Sequence, residues 1–140
     1  MKRFKYAYEG FRAILKKDQN FLFHILAAVI VIILGIVLNI DRIDWILIIV
    51  AIGLVLSFEA INTSIEFVVD LITTDYHEYA KYAKDIAAFS VVIVSIVSIC
   101  IGLIVFLPYI LDIYNDAILN TTAVYTYHPQ SLNEREVWFE

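Results

Sequence analysis

Three long apolar runs, separated by short polar segments, dominate the pattern of this chain. They cover residues 21–38, about 45–72 and about 86–113. A helix of about 20 residues crosses the roughly 30 Å hydrocarbon core of a bilayer, so each run is long enough to span it. Backbone groups must be hydrogen-bonded inside hydrocarbon, which favours helices over an open sheet. The pattern predicts an all-α integral membrane protein with three transmembrane helices.

The segments that flank these runs differ from each other. Residues 3–18 place apolar side chains at helical spacing with lysines and arginines opposite them, which predicts an amphipathic surface helix. The alternative is a charged leader that only sets topology. Residues 115–140 are polar and aperiodic, and we assign them no function. The predicted organisation is one membrane domain over residues 1–114, followed by a polar C-terminal tail.

The composition indicates a membrane protein, and the short chain limits what a single protomer can enclose. The 140 residues are 61% hydrophobic with a mean hydropathy of +0.80, above the values of soluble domains. A single protomer of this length could hardly enclose a polar cavity, so we expect self-association. Cys100 is the one cysteine, which excludes an intrachain disulfide.

The distribution of positive charge predicts the orientation. Eight of the ten lysines and arginines lie before the first run or in the loop of residues 73–85. The positive-inside rule places both segments in the cytosol and the C-terminus outside, in a multi-pass protein of the cell membrane. A basic cluster next to a span does not favour nucleic-acid binding.

Polar residues interrupt the second run along one narrow helical face. They are Glu59, Asn62, Thr63, Glu66 and Asp70. Measured from Trp45 at about 1.5 Å per residue, Glu59 lies roughly 21 Å along the helix and Glu66 roughly 32 Å. The acids therefore begin inside hydrocarbon and emerge into the cytosol. A polar seam between helices is the structural alternative, but a carboxylate at this depth favours a functional site.

The following loop brings charged residues onto a second face. Lys81, Lys84, Asp85 and Ala88 recur at helical spacing, close to the acids of the second run. Carboxylates suit a divalent cation such as Mg²⁺ and lysines suit phosphate oxygens, so phosphoryl transfer is a plausible chemistry. No glycine-rich P-loop is present. A solvated Lys81–Asp85 ion pair is the alternative for that part of the pattern.

These residues resemble a known family, the prokaryotic diacylglycerol kinases, which include the undecaprenol kinases. The matching motif is E-x-x-N-[TS]-[AS]-I-E-x-x-V-D, present as EAINTSIEFVVD at residues 59–70, and it continues as AKD at residues 83–85. Upstream, YAYEGFRAILKKDQNF is similar to the N-terminal segment of the family. The similarity runs from about Tyr6 to Phe106.

The resemblance implies an ATP-dependent lipid kinase that uses Mg²⁺ and forms a homotrimer with active sites shared between protomers. It implies that Glu59 is the general base, that Asn62 orients the substrate or phosphate, and that Asp18 and Glu66 hold the metal. Ala88 and Glu59 would contact the lipid. The nucleotide contacts implied are Lys84 and Asp85 and, more loosely, Tyr6, Asp75, Tyr76 and His77.

Some residues depart from the family pattern or indicate one branch of it. Asp18 stands where the family usually has Glu, Gln19 replaces a common Arg, and Phe89 occupies a small-residue position. The branch indicators are Asn20, Phe21 and His24, which are typical of undecaprenol kinases. They favour undecaprenol over diacylglycerol as the lipid, although His24 is also explained as an interfacial polar residue.

Two other functions are compatible with an intramembrane carboxylate. One is a small proton or cation transporter subunit, but residues 45–58 offer only Ser57 as a polar group for the outer half of a pathway. The other is a structural membrane subunit with no chemistry, in which Glu59→Gln would change assembly rather than turnover. ATP-dependent transfer of phosphate to a lipid alcohol is expected of the kinase alone.

Overall fold

The computed structural model describes residues 2–120, and this part of the chain contains four helices. They are α1 (Lys2–Lys17), α2 (Gln19–Val37), α3 (Arg42–Ile72) and α4 (Glu78–Asn120). Helices α2, α3 and α4 are long and apolar enough to cross a membrane. The prediction of an all-α membrane protein with three spans and an N-terminal amphipathic helix is confirmed.

Helix α4 continues past the point where the polar tail was expected to begin. It ends at Asn120, and the remainder of the predicted tail lies outside the described residues. The domain boundary near residue 114 therefore stays a prediction.

The junction of α1 and α2 is formed by one residue. Asp18 has extended backbone angles (φ −112°, ψ 109°), which end α1, and its Oδ1 accepts hydrogen bonds from the backbone N–H groups of Asn20 (2.8 Å) and Phe21 (3.3 Å). A side-chain acceptor at this position satisfies N–H groups that the first helical turn leaves unpaired. The Phe11 and Phe21 rings also meet edge to face, with centroids 6.2 Å apart. The Asp18 cap and the Phe11–Phe21 contact therefore fix the position of the amphipathic helix relative to the first span.

A tight turn joins α2 to α3. Asn39 adopts a left-handed conformation (φ 50°), and the Asn39 and Ile40 N–H groups donate to the carbonyls of Ile36 and Gly35, each at 3.2 Å. This pair of bonds is a Schellman motif, in which asparagine tolerates the positive φ. Ile40 is buried against Trp45, whose ring lies directly over Gly35. The turn reverses the chain within four residues.

The apolar core lies next to this turn. Ile40, Ile48, Val105 and Phe106 form one buried cluster where α3 packs on α4. We call this the hairpin end of the bundle. The opposite end, where α1, the last turns of α3 and the first turns of α4 meet around the loop of residues 73–77, is called the cleft end.

Candidate active site

The polar face predicted on α3 points into the protein at the cleft end. Glu59, Asn62 and Thr63 are buried, with exposed fractions of 2%, 6% and 1%. Further along the same face, the side chains of Glu66 and Asp70 are 37% and 48% exposed. The column of acids therefore passes from the interior to the surface, as the helical spacing predicts.

Asp18 approaches this column from the α1–α2 junction. The Thr63 hydroxyl lies 2.6 Å from Asp18 Oδ2 and 3.1 Å from the Glu59 carbonyl oxygen, so its proton is donated chiefly to the carboxylate. The carboxyl group of Glu59 interacts electrostatically with the carboxyl groups of Asp18 and Glu66. Three carboxyl groups from two parts of the chain thus converge, and a site of this kind favours a cation or a proton.

Asn62 contributes an unused acceptor beside these acids. Its Nδ2 donates to Glu66 Oε1 at 3.5 Å, while its buried Oδ1 has no hydrogen-bond partner within residues 2–120. An unpaired buried amide oxygen is uncommon and is explained when a hydroxyl donor or a cation binds there. A bound hydroxyl or cation would satisfy this acceptor.

Two lysines close the exposed end of the column. Lys84 on α4 donates to Asp70 Oδ1, and Lys17 on α1 donates to Asp70 Oδ2 at 2.9 Å. Lys17 Nζ also lies 3.8 Å from Glu66 Oε2. Sequence analysis missed Lys17, because it counted this residue among the basic residues of the surface helix. Its position immediately before Asp18 was the signal that could have indicated it.

A cleft of about 560 Å³ opens beside Asp70 and contains most of the predicted nucleotide contacts. Its lining includes Asp75, Tyr76, His77, Lys84 and Asp85. The loop is held by local hydrogen bonds: the Asp75 N–H donates to Thr73 Oγ1, and the Tyr79 N–H donates to His77 Nδ1. The Lys81–Asp85 surface ion pair, considered above as the alternative, is present.

Two of the predicted site residues do not line this cleft: Tyr6, a predicted nucleotide contact, and Ala88, a predicted lipid contact. Tyr6 is exposed on α1 and is not part of the lining of the cleft. Ala88 is exposed on α4, whereas its neighbour Ala87 is buried. Ala88 nevertheless lies one helical turn beyond Lys84 on α4.

The donor set fits a hard divalent cation in part. Within residues 2–120, no group of three His, Cys, Asp or Glu side chains is arranged to hold a metal ion. Oxygen donors are nevertheless present, because Glu66 contacts Asn62 and the Asp18 carboxylate contacts Thr63 on the same face of α3. Mg²⁺ takes few protein ligands and completes its shell with water and substrate phosphates, so a sparse oxygen set suits it.

Buried acids that lead to lysines and an open cleft at one end of three spans define the class: a membrane-embedded protein with a one-sided polar site. Comparison with known proteins then gives the family. The model of the prokaryotic diacylglycerol kinase family matches residues 5–106. The undecaprenol kinase of Bacillus subtilis is 42% identical over 107 residues, which are 76% of this chain and 87% of that protein.

Two diacylglycerol kinases are also similar. The Haemophilus influenzae protein is 37% identical over 73% of this chain and 87% of its own length. The Escherichia coli K12 protein is 33% identical over 67% of this chain and 77% of its own length. The chain belongs to the prokaryotic diacylglycerol kinase family. It is a membrane lipid kinase, as the motif predicted, and the transporter alternative is not supported.

Proposed function

We propose that this lipid kinase transfers the γ-phosphate of ATP to the hydroxyl of undecaprenol, giving undecaprenyl phosphate, with diacylglycerol as the second candidate. Identity supports the order: 42% to an undecaprenol kinase against 37% and 33% to two diacylglycerol kinases. The branch residues Asn20, Phe21 and His24 favour the same order.

One observation carries the kinase mechanism: a buried carboxylate and an open cleft occupy the same helical face. Glu59 is 2% exposed, and the column that begins with it leads to Asp70 at the rim of the cleft. A lipid alcohol is anchored by its tail and presents its hydroxyl near the membrane boundary, whereas ATP stays in water. The column connects the two environments.

Glu59 is proposed as the general base. Its carboxylate takes the proton of the lipid hydroxyl as the oxygen attacks the γ-phosphorus, the bond to ADP breaks, and the proton is later released to water. The buried Asn62 Oδ1 accepts a hydrogen bond from the lipid hydroxyl as it binds and so positions it, and the O–H then turns to Glu59 for proton transfer. Ala88 is proposed to contact the lipid. Catalysis of phosphoryl transfer then consists mainly of positioning and charge stabilisation.

The nucleotide is proposed to bind in the cleft. Lys84 contacts its phosphates, and Asp85 binds the nucleotide after leaving Lys81. The remaining nucleotide contacts proposed are Asp75, Tyr76, His77 and Tyr6. Asp18 and Glu66 would hold Mg²⁺, which when bound neutralises charge on the triphosphate.

The enzyme is proposed to act as a homotrimer in the bacterial cell membrane, with its N-terminus and active site in the cytosol and its C-terminus outside. The exposed position of Tyr6 supports shared sites, because a neighbouring protomer can bring this proposed nucleotide contact to a cleft that its own protomer does not. Residues 1–114 are proposed as the lipid kinase domain.

A lipid panel tests the proposed function. Purified protein in mixed micelles is supplied with Mg²⁺, γ-labelled ATP and either undecaprenol or diacylglycerol at equal mole fraction. We expect label in both lipids, with a higher kcat/KM for undecaprenol. A higher kcat/KM for diacylglycerol would reverse the substrate order, and no labelled lipid in either case would contradict the proposed phosphotransfer.

A further inference from the structure

Lys17 contacts two carboxylates and an aromatic ring near the proposed nucleotide cleft. We infer that Lys17 and Lys84 form a two-ammonium clamp for the ATP phosphates, and that Asp70 occupies this clamp when nucleotide is absent. The inference rests on the proposed function, because it assigns a further residue to the nucleotide part of that site.

Three helices converge on the Asp70 carboxylate. Lys17 comes from the last turn of α1, Lys84 from the second turn of α4, and Asp70 from near the end of α3. The two ammonium groups bind opposite oxygens of the carboxylate, Lys17 at Oδ2 and Lys84 at Oδ1. The fold therefore holds the two ammonium groups close enough together to bind the two oxygens of one carboxylate.

Lys17 is held in place by two further contacts. Its Nζ lies 3.8 Å from Glu66 Oε2 and 4.1 Å from the centre of the Phe67 ring. The aromatic face attracts the cation. Lys17 thus touches both Glu66, one of the proposed metal ligands, and Asp70, which lines the cleft.

A phosphate group can replace the Asp70 carboxylate between these lysines. It presents oxygens at a similar spacing, carries more negative charge, and makes strong charge-assisted bonds to ammonium groups. The existing ion pairs are 30–48% exposed, and pairs in contact with solvent contribute little stability. Releasing Asp70 is therefore a small barrier to phosphate binding.

The competing explanation is a structural ion pair that only fastens α1 to α3. In that case, removing the Lys17 charge would affect the stability of the protein without a specific effect on ATP. The two explanations differ in one measurable quantity, the KM for ATP compared with the KM for lipid and with kcat.

Three lysine variants of the full-length protein test the clamp. Lys17→Met keeps an unbranched side chain over Phe67 and removes the charge, and Lys17→Arg keeps the charge. Lys16→Met is the matched control, since Lys16 is adjacent on α1 and forms no ion pair within the described part of the chain. Steady-state kinetics are measured with ATP and lipid varied separately, and thermal unfolding is recorded for each variant.

We expect Lys17→Met to raise the KM for ATP about tenfold, the effect of losing one charge-assisted hydrogen bond, with kcat and the lipid KM within about twofold of the wild type. Lys17→Arg and Lys16→Met should stay close to the wild type. An ATP KM that is the same in Lys17→Met and Lys16→Met, or a fall confined to kcat, would overturn the clamp and leave the proposed function intact.

A fourth variant keeps the test decisive if Lys17→Met does not fold. Asp70→Asn removes the resident anion, so the clamp predicts a lower KM for ATP. An unchanged or higher KM would overturn the inference. Wild-type protein that labels no lipid would instead remove the proposed function, and the clamp with it, so the two failures are distinguishable.

Discussion

The two ends of the helical bundle are built from different interactions. At the hairpin end, Ile48, Val105 and Phe106 pack in an apolar cluster, and Tyr109 links α4 to the α2–α3 turn by accepting from the Asp41 N–H and donating to Asp44. At the cleft end, polar and ionic contacts also join the helices, beside apolar ones such as the Phe11–Phe21 ring contact. They include the Thr63–Asp18 hydrogen bond and the two lysine–Asp70 pairs.

Because of this difference, we expect the hairpin end to contribute most to stability and the cleft end to bind ligands. Apolar packing leaves no polar group to exchange with a ligand. A substitution that changes side-chain volume or shape there lowers the stability of the protein. Exposed ion pairs contribute little stability and can exchange partners readily. The hairpin end therefore acts as a scaffold, while the cleft end is arranged for ligands.

The largest expected effect is at the cleft end. Glu59→Gln preserves the size of the side chain and removes the proposed base, so kcat should fall by about 10²- to 10⁴-fold. Phosphate transfer to lipid is the measurement, with size-exclusion chromatography and thermal unfolding as checks on assembly. Glu9→Gln, on the exposed part of α1, is the matched control. Retained turnover in Glu59→Gln would exclude Glu59 as the base.

The next effect concerns the scaffold. A Cβ added at Gly35 would lie 2.9 Å from Trp45 Cη2 and 3.1 Å from Ile40 Cδ1. Gly35→Ala should therefore destabilise the protein by about 1–3 kcal/mol, as overpacking does, while kcat per folded enzyme is unchanged. Thermal and denaturant unfolding measure the change.

Gly53→Ala is the control for that substitution. Within residues 2–120, no heavy atom apart from the adjacent backbone of α3 lies within 4 Å of a Cβ added there, and alanine favours helix over glycine by up to about 1 kcal/mol. Gly53→Ala should be neutral or stabilising. Equal destabilisation by both variants would show that the contact with Trp45 is not the cause.

The smallest effect is expected at Tyr109. Tyr109→Phe removes the hydroxyl that connects α4 to Asp41 and Asp44, and we expect a small decrease in the midpoint of thermal unfolding. The KM for ATP should not change, because the cleft lies at the other end. A selective change in the ATP KM, with no loss of stability, would contradict the division of the bundle into scaffold and site.

Local patterns were sufficient for much of the site. Glu59, Asn62 and Glu66 share a helical face by spacing alone, and the structure places them on that face. The dual function of Asp18 was not predictable in this way. Asp18 caps α2 and also accepts from Thr63, which is 45 residues further along the chain.

The sequence by itself determined the three spans, the amphipathic helix, the polar face of α3 and the family, because hydropathy, helical periodicity and a contiguous motif are properties of neighbouring residues. Only the tertiary structure decided that Lys17 meets Asp70, that Asn62 Oδ1 has no partner among residues 2–120, and that Tyr109 reaches the α2–α3 turn. Such contacts depend on how separate helices pack, and side-chain spacing along one helix does not specify them.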